Sequence, residues 1–370
     1  MHRVHLNYTL GSEAAPGRIR NPLLDLLHAV ARMGSISAAA RALGLSYRHV
    51  WGELKRWEAE LGHGLIVWEK GQAARLTEFG TKLMWAERQA QARLLPQIEA
   101  LRADLERAYA VAFDDSVHVL TLYASHDEAL ATLAERARAE RLHLDIRFTG
   151  SVDAIRALNE GRCMLAGFHT RILAGRGSRT QRIYKPLLRP GLHKLVGFAQ
   201  RSQGLIVARG NPLGLRTLED IRASAARFSN RALGTGTRVL FDELLDEAGL
   251  QPDEIRGYAS SEPSHAAVAS AIVSGQADAG LGIAATADAF GLDFVPLVEE
   301  RYHLACLKAS LGQAPLNALL KLLCCEKWRE ALDALPGYRA AQCGQVLSMK
   351  AVLPWWTYRR PKDERDPPRA

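Results

Sequence analysis

The chain has 370 residues, 48% of them hydrophobic and 24% charged, with a formal net charge of +8. The length exceeds what one ordinary core organises, so two or more domains are expected, and the composition excludes fibrous and disordered classes. No apolar run is long enough to cross a bilayer and the start, MHRVHLNYTLGSEAAPG, lacks a signal-like apolar core, so a cytoplasmic protein with no membrane partner is expected.

Val4, Leu6, Tyr8 and Leu10 alternate as in a short strand before the loop GSEAAPG. Asn21 and Pro22 then suit the opening of a helix that buries Leu23, Leu26, Leu27 and Val30, one face at helical spacing. Ser37 is placed to cap a second helix, AAARAL, which stops at Gly44, and Ser46 is placed to cap a third. In LSYRHVWGELKRW, residues 45–57, Val50, Leu54 and Trp57 share one face of that third helix while Tyr47, Arg48, His49, Lys55 and Arg56 point elsewhere. LIVWEK and AARLTE are strand-like and flank Gly71 and Gln72, which predicts a small hairpin with Lys70 and Gln72 at its tip. Thr77 is placed to cap a fourth helix. From Phe79 to about Ala112, an apolar stripe of Leu83, Ala90, Leu94, Ile98, Leu101, Leu105 and Ala108 marks that helix as ~45 Å long. A helix exposed that far from both neighbours reads as a linker that dimerises, kinked at Pro96.

Past Asp114 and Asp115 the period changes. VHVLTLYAS, LHLDIRFTG, CMLAGFHT, LHKLVGFAQ, GLIVARG, ARFSNR and ADAGLGI read as strands among helical stretches such as DEALATLAERARAE and TRVLFDELLDEAG. That alternation implies α/β architecture with mainly parallel sheets. The tail VLPWWTYRRPKDERDPPRA is proline-rich and charged, with Trp355 and Trp356 placed to dock and the last residues expected to be disordered. Five cysteines, Cys163, Cys306, Cys324, Cys325 and Cys343, show no CxxC spacing and suit reduced thiols. Adjacent Cys324 and Cys325 read as buried helix residues rather than a metal or redox pair.

The basic balance invites a polyanionic partner. A helix reads DNA when its N-terminal face is polar and its other face is held by a second helix and a tight turn. GSISAAARALGLSYRHVWGELKRWEAELG supplies small alanines where two helices approach, Gly44 at the turn, and Leu43, Val50 and Leu54 for a shared core. With the hairpin as a wing and RLTEFG leading into the long helix, residues 20 to 112 resemble the winged helix-turn-helix of LysR-type and, more closely, molybdate-responsive ModE-type transcription regulators. The resemblance implies that Ser46, Tyr47, Arg48 and His49 sit at the major groove of double-stranded DNA. It implies further that Lys55, Arg56 and Lys70 approach phosphates and that Arg41 touches the backbone. Trp51 and Trp57 read as core, since a duplex offers no free base faces, and Lys55 and Arg56 can instead pair with Glu53 or Glu60 on their own helix.

In NRALGTGTRVLFDELL, residues 230–245, a strand runs through a glycine-bearing loop into a helix. Gly234 and Gly236 permit close backbone approach, Thr235 and Thr237 offer hydroxyls, and Arg238 adds charge, as an anion cradle requires. Ser125 and His126 in ASHDEAL, Thr149, Gly150 and Ser151 in FTGSVDAI, and Ser264 and His265 in SEPSHAAVAS occupy further strand-to-helix junctions, where open α/β sheets bind ligands. Asp278 and Gly280 follow the last of these helices. One helix N-terminus contributes ~0.3–2 kcal/mol, whereas micromolar binding needs ~8 kcal/mol, so Ser125, Ser151 and the run from Thr235 to Arg238 must converge. As a whole, residues 117 to about 345 resemble the type II periplasmic-binding-protein fold, in particular the molybdate-binding domains fused to such regulators, and GTGTR is similar to the oxyanion loop of tungstate-binding proteins. That implies two lobes, about 117–198 with 299–345 and about 203–297. The ligand then lies in their cleft against Ser125, His126, Ser151, Thr235, Gly236, Thr237, Arg238, Ser264 and His265. The sequence shows no C-terminal pair of small ligand-binding barrels, a departure from the ModE pattern.

Ser125, His126 and Asp127 are the residue types of a hydrolase triad, yet consecutive residues on one turn cannot form its chain of hydrogen bonds. GxSxG, HExxH and GxxxxGK[ST] are absent, so no catalysis, metal or cofactor is expected. The chain therefore divides into a winged helix-turn-helix at 1–82, a linker helix at 83–115, a two-lobed α/β effector domain at 116–345 and a tail at 346–370. The expected protein is a homodimeric or larger one-component regulator that reads a pseudo-palindromic operator and senses molybdate or tungstate. A sensor of an organic acid or other small metabolite and a non-regulatory oxyanion-binding protein stay open beside it.

Overall fold

A computed structural model of the chain describes residues 22–68, 72–113, 116–172, 175, 177–353, 355 and 356. The alternating stretch at 4–10, Asn21, Lys70, Gly71, Asp114, Asp115 and the charged end of the tail lie outside the described residues.

The N-terminal unit comprises α1 (Pro22–Met33), α2 (Ile36–Ala42), α3 (Tyr47–Leu61), β1 (Ile66–Val67), β2 (Arg75–Leu76) and the start of α4 (Glu78–Phe113). Its core takes Leu23, Leu26, Leu27 and Val30 from α1, Ala39 from α2, and Val50 and Leu54 from α3, each on one face at helical spacing. The cap of α2 is Ser35 rather than Ser37: its Oγ accepts from the Ala38 N–H at 3.3 Å, and starting the helix earlier turns Ile36 into the core. Ser46 caps α3, accepting from His49 N–H at 3.1 Å. Gly44 makes the turn with φ +67°, and Leu43, expected in the shared core, is swung outward and exposed. β1 and β2 pair antiparallel as a short wing. Thr77 Oγ1 then accepts from Gly80 N–H at 2.9 Å to open α4, and Gly80 passes so near Leu65 O that a β-carbon would lie 2.4 Å away.

The C-terminal unit runs β3 (His118–Ala124), α5 (Glu128–Ala139), β4 (Leu142–Phe148), α6 (Ser151–Asn159), β5 (Leu165–Arg171), α7 (Arg179–Tyr184), β6 (His193–Val207), α8 (Leu218–Ala223) and β7 (Phe228–Ser229). It continues with α9 (Gly236–Ala248), α10 (His265–Val273), β8 (Ala279–Ile283), α11 (Ala284–Ala289), β9 (Asp293–Leu307), α12 (Ala314–Cys324), α13 (Glu326–Asp333), β10 (Tyr338–Arg339), β11 (Val346–Leu347) and α14 (Met349–Val352). The strands follow the order β4-β3-β5-β9-β6-β8-β7, with β10 and β11 added on β6.

This sheet is mixed, not mainly parallel. β3 pairs parallel with β4 and β5, and β7 with β8, but β6 and β9 run antiparallel to each other and to β8 and β5 respectively. LHKLVGFAQ and GLIVARG are two halves of the single 15-residue β6. β9 is missing from the sequence-based strands because Pro296 and the run Glu299, Glu300, Arg301 interrupt its apolar pattern. Those residues fall where β6 and β9 cross from one lobe to the other. Residues 193–201 and 300–307 belong with β3, β4 and β5, whereas 203–207 and 293–298 belong with β7 and β8. A register shift at Gln203/Gly204 marks the crossing, where a β-carbon on Gly204 would lie 2.1 Å from Val295 O.

Each lobe has its own core: Phe198, Tyr302 and Trp328 on one face of the first, Phe168, Tyr184 and Trp355 on another, and Phe228 stacked on Phe241 at 4.4 Å in the second. Trp355 thus docks the tail, while Cys324 is exposed rather than buried. α4 is not free of its neighbours either. It packs against α10 of the second lobe and β4 of the first, yet Leu94, Leu101 at 58%, Leu105 and Tyr109 stay exposed along it. No single helix among the described residues is long and apolar enough to cross a membrane.

Candidate functional site

The lobes meet at the crossing of β6 and β9, and two buried arginines lie there. Arg201, on β6, donates from Nε to Glu300 Oε1 at 2.5 Å, from Nη1 to Asp127 and to Tyr338 Oη at 3.3 Å, and from Nη2 to His169 Nδ1 at 3.2 Å. Tyr338 Oη in turn donates to Asp127 Oδ2 at 2.8 Å. Burial opposes the charge of Arg201, but Glu300, Tyr338 and Asp127 hold its pKa well above the usual range. Arg231, just past β7, is the contrary case. Its Nη2 donates to Pro263 O at 3.1 Å, while Nε and Nη1 have no acceptor among the described residues. Burial, and then the charge of Arg201, push its guanidinium down to about 9. The carboxylate beside it, Glu262, is taken by Arg93 of α4 in two hydrogen bonds of 2.7 and 3.0 Å.

Other buried polar atoms from both lobes are left without partners among the described residues, Ser125 Oγ, His169 Nε2, His265 Nδ1 and Gln203 Oε1, and Ser151 Oγ has only the Tyr184 hydroxyl beside it. His169 Nδ1 also lies 3.4 Å from Glu300 Oε1; since a guanidinium cannot accept, the bond from Arg201 belongs to the tautomer that carries its proton on Nε2. Burial first, reinforced by Arg201 and by Arg231 respectively, holds the pKa of His169 and His265 well below the usual histidine range. Glycines let the lobes close on this cluster. A β-carbon on Gly236 would lie 2.8 Å from His169 Cδ2 and 3.2 Å from Ser151 Oγ, and one on Gly150 would lie 2.6 Å from Gly234 O. On the α7 side, Thr180 donates to the buried Glu243 from N at 2.8 Å and from Oγ1 at 2.5 Å. Arg179 grips Asp246 with two bonds of 2.9 Å, and Arg171 contacts Glu247.

Of the residues expected at the cleft, Gly236 packs against His169 and Ser151 across the lobes, Thr237 meets Gln203 and His265, and Ser125 follows β3 two residues before Asp127. Thr237 Oγ1 accepts from Gln203 Nε2 at 3.0 Å and lies 3.5 Å from His265 Nε2. Thr235 is engaged as the cap of α9, accepting from Arg238 N–H at 3.3 Å and donating to Ala232 O at 2.8 Å. Three of the expected residues are instead engaged by other groups. Arg238 turns onto Asp242, one helical turn along α9 at 3.1 Å, and onto the Tyr258 ring at 4.1 Å, so the unpaired charge is that of Arg231. His126 lies 3.0 Å from Glu99 of α4, its ring against Phe148 at 4.9 Å. Ser264 caps α10 and donates to Ala92 O of α4 at 3.0 Å. Asp278 pairs with Arg227, away from the cleft. Arg231 stands inside the glycine-threonine motif and is legible as a charge at a strand end; Arg201 and His169 sit within strands and carry no local signal.

The second surface is the start of α3. Residues 41–49 form one exposed run that includes Arg41, Ser46, Tyr47, Arg48 and His49, while Val50 behind them is fully buried. Tyr47 stacks on Trp51 at 6.3 Å, and Trp51 meets exposed Trp68 of the wing edge-on at 6.1 Å. Lys55 and Arg56 are bound to Glu58 at 2.7 Å and Glu53 at 2.5 Å, exposed and solvent-screened pairs that a phosphate can displace. Arg41 and Arg48 have no acidic partner among the described residues.

His169, His265 and His303 are all buried and neutral, the last held at about 3 by burial. The unfolded chain takes up these protons as pH falls through about 6.5 while the folded chain does not, so this stability is complete above that pH and is lost below it. Urea unfolding between about pH 7 and 5 should show a loss approaching roughly 1.4 kcal/mol per pH unit for each of these histidines. A stability independent of pH in that window would contradict the buried neutral assignment.

Residues 133–324 match the family described as the PBP superfamily domain, and residues 22–81 match the bacterial regulatory helix-turn-helix protein, lysR family. The uncharacterized protein YvgK of Bacillus subtilis (strain 168) is 32% identical over 201 residues, 54% of this chain and 64% of that relative's length. An uncharacterized protein in the ferredoxin 2Fe-2S gene 5′ region of Clostridium pasteurianum is 30% identical over 115 residues, 30% of this chain and 98% of that one. Among solved structures, ArgP from Mycobacterium tuberculosis superposes with a TM-score of 0.39 at 20% identity, covering 85% of this chain and 98% of that one.

Proposed function

The chain belongs to the PBP superfamily, and on that premise we propose that it is a LysR-type DNA-binding transcription regulator, as the match of residues 22–81 suggests, whose effector is a small inorganic oxyanion, molybdate or tungstate. One observation carries the reading. Arg231 is a buried guanidinium with two nitrogens that have no acceptor among the described residues, its charge felt by the imidazoles of His169 and His265 from the two lobes. An uncompensated buried charge costs several kcal/mol, and an anion relieves that cost while its oxygens accept from Arg231, Ser125, Ser151 and His169 Nε2. The close contacts at Gly236 and Gly150 favour a compact ion over an organic acid, which needs room for a carbon skeleton. Titration of the native chain with molybdate, tungstate, sulfate, phosphate and small organic acids, read as melting temperature, tests this. Saturable stabilisation by the first two supports it; stabilisation only by an organic acid replaces the effector.

The regulator acts in the cytoplasm as a homodimer. Leu94, Ile98, Leu101, Leu105 and Ala108 alternate at spacings of four and three along α4, the seam of a coiled coil, and most of that row is exposed. A two-fold dimer presents two α3 helices to a pseudo-palindromic operator. In fluorescence anisotropy, Arg48→Ala should weaken the cognate duplex by about 1–3 kcal/mol and relax preference at one base pair. Arg41→Ala should weaken all duplexes alike and make the dependence on salt shallower. Unchanged affinity and preference in Arg48→Ala would remove α3 from base reading.

A further inference from the structure

α4 is fastened to both lobes, and Pro96 lies between the fastenings. On its N-terminal side, Gln89 and Gln276 of the second lobe exchange amide hydrogen bonds of 2.5 and 2.9 Å, and Arg93 holds Glu262. On its C-terminal side the partners belong to the first lobe. Glu99 meets His126, Asp104 accepts from Arg147 Nη1 at 2.9 Å, Arg107 lies 3.7 Å from Asp145, and Glu106 contacts Arg138. Proline has no N–H, so the carbonyl of Ala92, one turn earlier, lacks its helical donor. Ser264 fills that vacancy: its Oγ donates to Ala92 O at 3.0 Å. The residues around Ser264 belong to the cleft, since Pro263 O accepts from Arg231 and His265 carries a free Nδ1 in the unpartnered cluster.

We propose that Pro96 is the bending point of a strut that converts lobe separation into a change of angle in the linker helix, with Ser264 as the contact between the cleft and that point. Both fastenings are polar and directional, so rotation of one lobe about the β6/β9 crossing must either break one of them or bend the helix between them. The helix bends most easily where its backbone ladder already lacks a bond. Because α4 starts in the winged unit, a bend at Pro96 alters the separation of the two recognition helices in a dimer. The trigger rests on the reading of the cleft as the effector site; the mechanical link does not.

The test needs neither effector nor operator. Glu243→Ala removes the buried carboxylate that holds Thr180 and so loosens lobe closure. Hydrogen exchange of the full-length chain should show amides of residues 88–98 exchanging about fivefold faster in Glu243→Ala than in the native chain. In a Pro96→Ala background, where the helix ladder is complete, the same change should be less than about twofold. Equal acceleration in both backgrounds, or none in the first, would overturn the strut. Should Glu243→Ala fail to fold, Arg171→Ala with Arg179→Ala loosens the same face from its surface. Absence of a molybdate or tungstate shift in the native chain would sink the effector and leave this exchange pattern standing.

Discussion

Arg231→Ala is expected to abolish stabilisation by molybdate or tungstate while leaving the unliganded protein as stable as the native chain, or more so. Most buried arginines lose stability on truncation because a partner carboxylate is left behind. Arg231 leaves none, since Glu262 is already satisfied by Arg93 and only the bond to Pro263 O is lost. In the native chain, ligand at 100-fold excess over Kd stabilises by about 2.7 kcal/mol, and this is the increment that should vanish. Arg238→Ala should keep it, because Arg238 is engaged by Asp242 and Tyr258. A full ligand shift in Arg231→Ala, or its loss in Arg238→Ala, would return the anion to the charge that the GTGTR motif suggests.

Arg201→Ala should behave in the opposite way, losing about 3–5 kcal/mol of stability without ligand. It strands Asp127 and Glu300, both buried, and deprives Tyr338 and His169 of a donor. Burial already pushes the Glu300 carboxyl up against the pull of Arg201, so removing the arginine drives Glu300 towards its neutral form. Adding Glu300→Gln to Arg201→Ala should therefore recover part of the loss, a coupling measured by denaturant unfolding of the four proteins of the cycle. A cost below about 1 kcal/mol for Arg201→Ala would mean that the buried network does not hold the lobes together.

The two arginines also show what the sequence could reveal. Local order is legible: helical spacing places Leu23, Leu26, Leu27, Val30, Val50 and Leu54 in one core, and Ser46 and Thr77 lie where their caps are expected. Ser35 rather than Ser37 caps α2 because burial of Ile36, a tertiary requirement, moves the helix start. β9 escapes because a strand that crosses between lobes carries charged residues for the cleft in its middle and so loses its apolar pattern. Arg238 competes with Arg231 in the sequence because both flank the same loop, and only the helix register of α9 decides which one meets Asp242. His126 and Ser264 look like ligand contacts since nothing in the sequence says that α4 folds back to claim them. Their partners, Glu99 and Ala92, are remote in the chain, and such pairings leave no periodic trace.

The affinity of the full-length chain for a duplex selected from a random pool, measured at fixed salt with and without molybdate or tungstate, tests the central claim most directly. A regulator whose cleft senses an oxyanion through Arg231 should change that affinity by about fivefold or more, and the change should disappear in Arg231→Ala. Sequence-specific binding that is indifferent to both oxyanions in the native chain would contradict it.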